Sequence, residues 1–598
     1  MAARPQASGG TVTLLDLLAR VSEDFQGGLR FIARDESATW HGWADVRARA
    51  EAVAGNLAAS GVVPGDRIAL VYPTGIDFFA ALFGTLLAGA VPVPLYPPVR
   101  LGRLDEYFRR TARMLELARA RLVLADARVQ RILGQTIALA RPPLGCKTLD
   151  QLPKGGAMPG GAAVSVRPDD LALVQYSSGT TVDPKPVALS HRAVIAQIAA
   201  LNLFWRDTPE HKHSGVSWLP LYHDMGLIGC VFPSLARDAT LTLIGPELFI
   251  ARPAIWLRTL SKYRGTISPA PNFGYALCLS RVSDDEIEGL DLSAWEAALN
   301  GAEAAVPATM RAFAARFAPY GFRPEAFTPV YGLSEAALAV TFSDLAGPFV
   351  AERFDREALA SEGVARVDGE GREITSVGRP LPGYSVRVAD ENGLTVPEGT
   401  IGRVWASGPS LMTGYLDQPE ATERALRGGW LDTGDLGFLH RGDLYLTGRA
   451  KDVVILRGRN YAPEEIERAV DSVPGVRTGC AVAASFLPEG ADGEELVLLV
   501  ETARGITPEQ RAALPRACRD AVLGAVGVPV GELVLLAPGT LPRTSSGKLR
   551  RGEALRLHLA GELTAPETVT PLRLAGALAR SGLAYARLRL KKKVRAHG

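Results

Sequence analysis

Along the first two thirds of the chain, short runs of branched apolar residues alternate with longer stretches whose apolar positions recur at helical spacing. Asp66-Arg-Ile-Ala-Leu-Val-Tyr, the run from Ile76 to Ala88, and Ala90-Val-Pro-Val-Pro-Leu form one strand–helix–strand set. A second begins at Val216-Ser-Trp-Leu-Pro, passes through an apolar stretch from Asp224 to Ala236, and ends in Thr240-Leu-Thr-Leu-Ile. A third joins Trp295-Glu-Ala-Ala-Leu, the alanine-rich run from Pro307 to Phe317, and Phe327-Thr-Pro-Val-Tyr. This alternation predicts an α/β protein with doubly wound sheets. Open sheets of that kind bind ligands at the carboxyl ends of their strands. The polar loops Tyr176–Lys185, Tyr222–Gly226, Asn300–Glu303 and Tyr331–Glu335 are therefore expected to line one crevice.

The loop Tyr176–Val187 follows Leu171-Ala-Leu-Val-Gln and precedes Ser190-His-Arg-Ala-Val, which places it between a strand and a helix. Ser177, Ser178, Thr180 and Thr181 supply hydroxyls around Gly179, and Lys185 supplies a charge. That composition suits phosphate oxygens and is equally common in exposed turns. In Asn300-Gly301-Ala302-Glu303, the bare Gly301 lets a flat ring lie against the backbone. Tyr331-Gly332-Leu333-Ser334-Glu335 offers an aromatic face, a hydroxyl and a carboxylate. Glu335 has the chemistry to hold Mg²⁺ between phosphate oxygens. Taken singly, Tyr331 also suits a core, Ser334 a cap and Glu335 a helix N-terminus.

Composition narrows the class. A chain of 598 residues predicts two or more domains, and 47% hydrophobic with 22% charged residues is the balance of a soluble globular protein. Met1 to Gly10 has no apolar run, and the stretch from Phe78 to Val99 is broken by glycines and prolines, so a cytoplasmic location without a membrane span is expected. Five scattered cysteines without a CxxC pair indicate neither a disulfide framework nor a cysteine zinc site. From Thr570 onward the tail carries eight basic side chains and no acid, more than the net charge of +2, so the body is acidic. With no nucleic-acid motif beside it, nucleic acid is not an expected partner.

Three further motifs follow in order. Gly429-Trp-Leu-Asp-Thr-Gly-Asp-Leu-Gly contains Asp432 and Asp435; Leu446-Thr-Gly-Arg-Ala-Lys-Asp contains Arg449 and Lys451; Leu541-Pro-Arg-Thr-Ser-Ser-Gly-Lys-Leu-Arg-Arg contains Lys548. Together with the earlier loops they resemble the adenylate-forming enzymes (acyl-CoA synthetases, peptide-synthetase adenylation domains and luciferases) over residues 10–560. The resemblance implies a large N-terminal AMP-binding domain over 10–448, a small mobile α+β lid over 449–565 with its hinge at Lys451, and a tail over 566–598. It implies ATP and Mg²⁺ as cofactors. Ser177–Lys185 would be the phosphate loop, Tyr331 with Gly301, Ala302 and Glu303 the adenine pocket, Asp435 the ribose-hydroxyl acceptor and Arg449 a second nucleotide contact, with Asn300, Gly332 and Ser334 also on the cofactor side. Lys548 would be the catalytic lysine, on the loop Thr544-Ser-Ser-Gly. This copy departs from the family pattern at Val182 and Pro186, where glycine is usual, which leaves Lys185 as the least secure phosphate contact.

The substrate stretch Ser217-Trp-Leu-Pro-Leu-Tyr-His-Asp-Met-Gly-Leu resembles the fatty-acid branch, with His223 at the gate and counted among the catalytic residues. Asp224, where an amino-acid enzyme would pair an ammonium, is better placed to start a helix. Met225, Gly229, Asn272 and Phe273 would form the acyl wall. The Tyr-His-Asp-Met-Gly, Pro-Asn-Phe-Gly-Tyr and Asn-Gly-Ala-Glu strings, an insertion at Phe354 to Thr375, and Arg457-Gly-Arg-Asn-Tyr-Ala-Pro are similar to fatty acyl-AMP ligases. That branch takes a fatty acid and passes it to a holo acyl carrier protein. A fatty acyl-CoA ligase using CoA is the alternative, and a catalytically inactive nucleotide-binding protein a third reading. Leucines interleaved with arginines after Thr570 make a basic amphipathic helix weakened by Gly576, Ser581 and Gly582. A disordered end, an acidic carrier and peripheral membrane contact remain open for it.

Overall fold

The computed structural model describes residues 12–98, 101–155, 164–177, 184–205, 207–208, 210–345, 347–456, 459–488, 494–544, 547–566 and 570–596. Of the phosphate-loop residues, Ser178, Gly179, Thr180 and Thr181 lie outside the described residues.

The spine of the protein is a sheet of nine described strands. Gly28–Ile32, Thr240–Ile244, Gly215–Ser217, Ile267–Ala270, Ala297–Asn300 and Phe327–Gly332 lie side by side and parallel, in that spatial order. Ala38–Gly42 closes one edge antiparallel, and Ala339–Phe342 and Arg379–Pro380 close the other. A second parallel sheet orders Val91–Pro94, Arg67–Val71, Leu122–Ala125 and Cys146–Lys147. Strands covered on both faces read as continuous apolar runs, which is why Arg67–Val71 was legible as a strand; Leu122–Ala125, of the same kind, was not singled out. The helix Ile76–Leu87 is buried along most of its length, and Phe83 reaches Phe232 with ring centroids 6.4 Å apart.

The stretch Asp224–Ala236 is helical as expected, but with a wider π turn at Leu227–Val231 that contains Gly229. The expected strand-to-helix setting of the Tyr176 loop is not what forms. Pro186–Ser190 is itself a strand, antiparallel to Leu171–Tyr176 and to Gly414–Tyr415. The loop therefore closes a hairpin in which Tyr176 faces Pro186. The helix His191–Asn202 begins only at the far end of that strand, capped by the Ser190 hydroxyl accepting from the Ala193 amide. Proline is tolerated at Pro186 because it opens the strand, where its carbonyl accepts from the Leu416 amide at 2.8 Å.

A separate core forms after Lys451. Val476–Phe486 and Glu495–Thr502 pair antiparallel, with Glu532–Leu536 parallel beside the latter. Helices Pro463–Asp471 and Pro508–Val526 cover one face through Ile466, Val470, Leu514 and Val522. Helix Arg551–Leu559 covers the other through Ala554. Pro508–Val526 carries its boundaries in its sequence: a Thr507/Gln510 capping box, Pro508 in the first turn, and Gly527 at φ +73°.

Two features tie this unit to the rest. Within the expected insertion, Ala351–Phe354 pairs with Arg372–Thr375, anchored by Phe354 and Ile374 against Phe438 and Tyr445. Its loop pairs Arg356 with Glu465, Arg372 Nε with Glu465 at 3.5 Å, and Glu357 with Arg459 at 2.9 Å. From the body, Arg103 donates to the carbonyls of Thr540 at 2.8 Å and Thr564 at 3.2 Å.

The described residues of the tail take the helical form that was one of its open readings. Pro571–Ala596 is a helix lying on Ala127–Ile132 and Gly134–Ala140. Ser581 and Ala577 are buried, the Ser581 hydroxyl accepts from the Gly134 amide at 2.8 Å, and the Tyr585 hydroxyl donates to the Gln130 carbonyl at 3.1 Å. Small residues that weaken an isolated helix here allow two backbones to meet: a Cβ on Gly134 would stand 2.2 Å from the Ser581 carbonyl oxygen. Among the described residues, no helix is long and apolar enough to cross a membrane.

Candidate active site

A cavity of about 1670 Å³ opens at the carboxyl ends of the central strands and is lined by both units. Asn300 and Tyr331 arrive at the ends of neighbouring parallel strands, so their loops share one rim. Gly332 is needed there by close approach, since a Cβ would fall 1.8 Å from the Leu338 carbonyl oxygen. Asp435 and Arg449 face each other in register on the hairpin Trp430–His440/Asp443–Arg449. The Tyr331 hydroxyl donates to Asp435 Oδ2 at 2.7 Å, and Arg449 Nε stands 3.1 Å from Oδ1. Burial pushes the Asp435 carboxyl above its ordinary range, against the pull of Arg449 and Tyr331.

Lys548 lies in the same cavity. Its loop is a turn in which Thr544 N donates to the Lys548 carbonyl at 2.8 Å and Lys548 N donates to Thr544 Oγ1 at 3.0 Å. Ser545 and Ser546 lie outside the described residues. Burial and the Arg449 guanidinium lower the Lys548 ammonium below its ordinary value, while Asp224, Glu303 and Asp435 oppose that shift. Beneath the loop, Arg551 is held by Glu467 at 2.7 Å, Glu464 at 3.0 Å and Asp452 at 3.3 Å. The support of Lys548 is thus linked to the residue that follows Lys451.

Glu335 faces the cavity with Oε1 accepting from the Tyr415 hydroxyl at 2.9 Å. Lys185 Nζ stands 4.4 Å from the centre of the Tyr415 ring. Tyr415 was not singled out in the sequence; no motif marks it, and it reaches Glu335 only because Gly414–Tyr415 pairs with the strand after the loop. A hard carboxylate held on the cavity wall by a neutral hydroxyl fits Mg²⁺, which takes one or two carboxylates and fills its shell with phosphate oxygens and water.

Asp224 is buried and engaged on both oxygens. Its carboxylate accepts from the Ser334 hydroxyl at 2.6 Å and the Met225 amide at 2.8 Å, and lies 2.6 Å from His223 Nδ1. Burial alone would raise its pKa, but His223 and Ser334 outweigh that and hold it at about 2. Ser334 is therefore a support for Asp224, and the side chains of His223 and Met225 flank it. Asn272, expected on the acyl wall, turns its carbonyl inward to accept from Asn300 Nδ2 at 3.3 Å and Val306 N at 3.0 Å. Phe273 lines the cavity beside Trp218, and its amide donates to Glu303 at 2.6 Å. Met225, Gly229, Leu338 and Phe342 continue the lining away from the polar end, and the space that a Cβ at Gly229 would take is filled by Leu338 Cδ2 at 2.8 Å. Ala302 completes the rim in a left-handed conformation with φ +69°, whereas Gly301 packs against Val330. Lys451 sits in the exposed turn between Asp443–Arg449 and Val454–Leu456.

An α/β cleft in which a carboxylate, two cations and an aromatic rim converge beside an apolar extension is that of an enzyme activating an acid with a nucleotide. The chain belongs to the AMP-binding enzyme family, whose model matches residues 23–416. It is 36% identical to a putative acyl-CoA synthetase of Caulobacter vibrioides, covering 87% of this chain and 90% of that one. It is also 36% identical to the long-chain-fatty-acid–AMP ligase FadD26 of Mycobacterium tuberculosis, covering 86% and 91%. A solved structure from work on the fatty acyl-adenylate ligases of E. coli and L. pneumophila superposes with a TM-score of 0.84 at 34% identity, covering 92% of this chain and 99% of that one. The protein is an adenylate-forming ligase.

Proposed function

We propose that this ligase joins a fatty acid to AMP and then passes the acyl group to the phosphopantetheine thiol of a separate acyl carrier protein. The observation that supports the acid's identity is the state of Asp224: both of its oxygens are already engaged, by Ser334 on one side and by Met225 and His223 on the other, while the cavity beyond it is mostly apolar. In the first step a carboxylate oxygen bonds to the α-phosphorus of ATP and the bond to the bridging oxygen breaks, releasing pyrophosphate. Two anions must approach, so catalysis rests on positioning and neutralisation. Lys548 serves the α-phosphate and the acid, Asp435 and Arg449 hold the ribose, and Tyr331 with Asn300–Glu303 receives the adenine. The Ser177–Lys185 loop takes the departing pyrophosphate. Glu335 would hold Mg²⁺, which when bound supplies charge neutralisation on the phosphates. In the second step the thiol attacks the acyl carbonyl and AMP leaves. Residues 449–565 act as a lid turning at Lys451. The basic tail helix rides on the large domain, where it is available to an acidic carrier or a membrane surface.

The test is pyrophosphate exchange across a panel of fatty acids, followed by CoA and a holo carrier protein in parallel. Lys548→Ala should lower exchange by about 10²–10³, the scale of one lost preorganised donor, with nucleotide binding nearly kept. Rapid acyl-CoA formation with no carrier preference would favour the CoA ligase instead.

A further inference from the structure

At the opposite end of the central sheet from Lys548, three side chains converge that the adenylating chemistry does not use. His211 and His213 lie on the segment leading into Gly215–Ser217, and Glu296 immediately precedes Ala297–Asn300. Residues two apart in extended backbone point to the same side, so His-Lys-His is a chelating spacing there. One donor atom from each of the three lies within 4.8 Å of the others, and all three side chains are partly buried. His211 Nε2 stands 3.1 Å from Glu296 Oε1, and His213 Nδ1 stands 3.9 Å from Oε2.

An ordinary ion pair accounts poorly for this arrangement. His211 Nε2 is shielded from solvent yet makes no hydrogen bond of acceptable geometry, even with the carboxylate beside it. His213 Nδ1 lies 3.2 Å from Thr266 Oγ1, an outer oxygen of the kind that orients ligating imidazoles and leaves Nε2 as the nitrogen for an ion. The nearby Arg237 is already neutralised by Asp207, whose other oxygen accepts from the His213 amide at 2.9 Å. Two imidazoles and a carboxylate with a fourth position open to water form a donor set suited to Zn²⁺.

We propose that His211, His213 and Glu296 form a divalent-cation site of zinc type, separate from the nucleotide site. Bond lengths of about 2.0–2.2 Å require the donors to draw together by rotamer adjustment alone. His213 also lines the far end of the cavity with Trp205, their rings 5.8 Å apart, so a bound ion would fix the His213 ring on that wall.

The experiment titrates the full-length, chelator-stripped protein with Co²⁺ as a spectroscopic probe in the absence of nucleotide, then displaces it with Zn²⁺. One equivalent of Co²⁺ should produce the visible absorption of a four-coordinate nitrogen–oxygen site, and one equivalent of Zn²⁺ should remove it. H211N and H213N should abolish the spectrum, E296Q should weaken Zn²⁺ binding at least tenfold, and K212A should match the parent. Circular dichroism and pyrophosphate exchange of each variant verify that it is folded. A parent protein without the spectrum, or a spectrum that survives in folded H213N, overturns the proposal and leaves a histidine–carboxylate contact only.

Discussion

Breaking the contact between the 351–375 insertion and the lid should redirect the second half of the reaction. The structure has Lys548 in the cavity and Glu465 engaged by the insertion at the same time, so under the function proposed above these contacts stabilise the adenylating pose. Their strengths differ. Arg459 and Glu357 are each about half exposed (49% and 58%), and a pair of that kind contributes about 0–1 kcal/mol. Arg372 and Glu465 are only 15% and 16% exposed, so Glu465→Ala leaves a shielded guanidinium facing no carboxylate at that position. The combined cost is on the order of 1–3 kcal/mol, less than the full penalty for orphaning a buried charge because Arg356 regains water. At about 1.4 kcal/mol per tenfold, that raises the population of a disengaged lid roughly 5–150-fold. If the adenylating pose remains the majority state, pyrophosphate exchange should fall by less than threefold while acyl transfer to CoA rises about tenfold or more. Proteolysis at the 449–453 turn should accelerate in parallel. The double variant Glu465→Arg with Arg372→Glu should recover part of the parent behaviour, which a purely local loss would not. Unchanged CoA transfer together with faster proteolysis would refute the reasoning, since the lid would then be free yet the acceptor unaffected.

Three other outcomes follow from the geometry. Tyr415→Phe removes the hydroxyl held by Glu335 but keeps the ring under Lys185, so the Mg²⁺ concentration for half-maximal exchange should rise about 3–30-fold; an unaltered Mg²⁺ titration would show that Tyr415 does not position Glu335. Because Lys548 is lowered from 10.5, its ammonium is lost as pH rises through a value below the ordinary one, and because Asp435 is raised above 3.8, its carboxylate is lost as pH falls through a value above the ordinary one. The exchange profile should narrow from both sides, and Lys548→Arg should move only the alkaline limb outward; a limb that stays put assigns it to another group. Gly134→Ala forces a Cβ against the Ser581 carbonyl and should expose Arg580 and Arg587 to trypsin with little change in the melting of the body, whereas Ser581→Ala, losing one hydrogen bond of about 0.5–1.5 kcal/mol, should do so more weakly. Equal cleavage of all three proteins would mean that the helix does not depend on this contact.

What could be read from the sequence was what local pattern encodes. Parallel strands buried on both faces leave unbroken apolar runs, and their carboxyl ends hand over to loops, so the neighbouring positions of the Asn300 and Tyr331 loops could be expected from pattern, whereas Asp435, on an antiparallel hairpin, was reached only through the family resemblance. The strand Pro186–Ser190 was hidden because proline opens it, and its partners lie on Leu171–Tyr176 and the distant Gly414–Tyr415. That one strand moves the phosphate loop from a helix entrance to a hairpin and brings Tyr415 to Glu335, so the missed element and the missed residue are one error. The tail helix was only weakly marked for a different reason: propensity weighs Gly576, Ser581 and Gly582 against a helix, yet Ser581 sits where only a small side chain allows contact with Gly134, and tertiary packing outweighs propensity. Least legible was the support of Lys548. Arg551 reads as one more basic residue after the lysine, but in space it joins the helix under Lys548 to Glu467, Glu464 and Asp452, the last directly beside Lys451. A lid that turns at Lys451 therefore carries Lys548 as part of a braced unit, because the guanidinium that seats the lysine's helix is held at the turn itself.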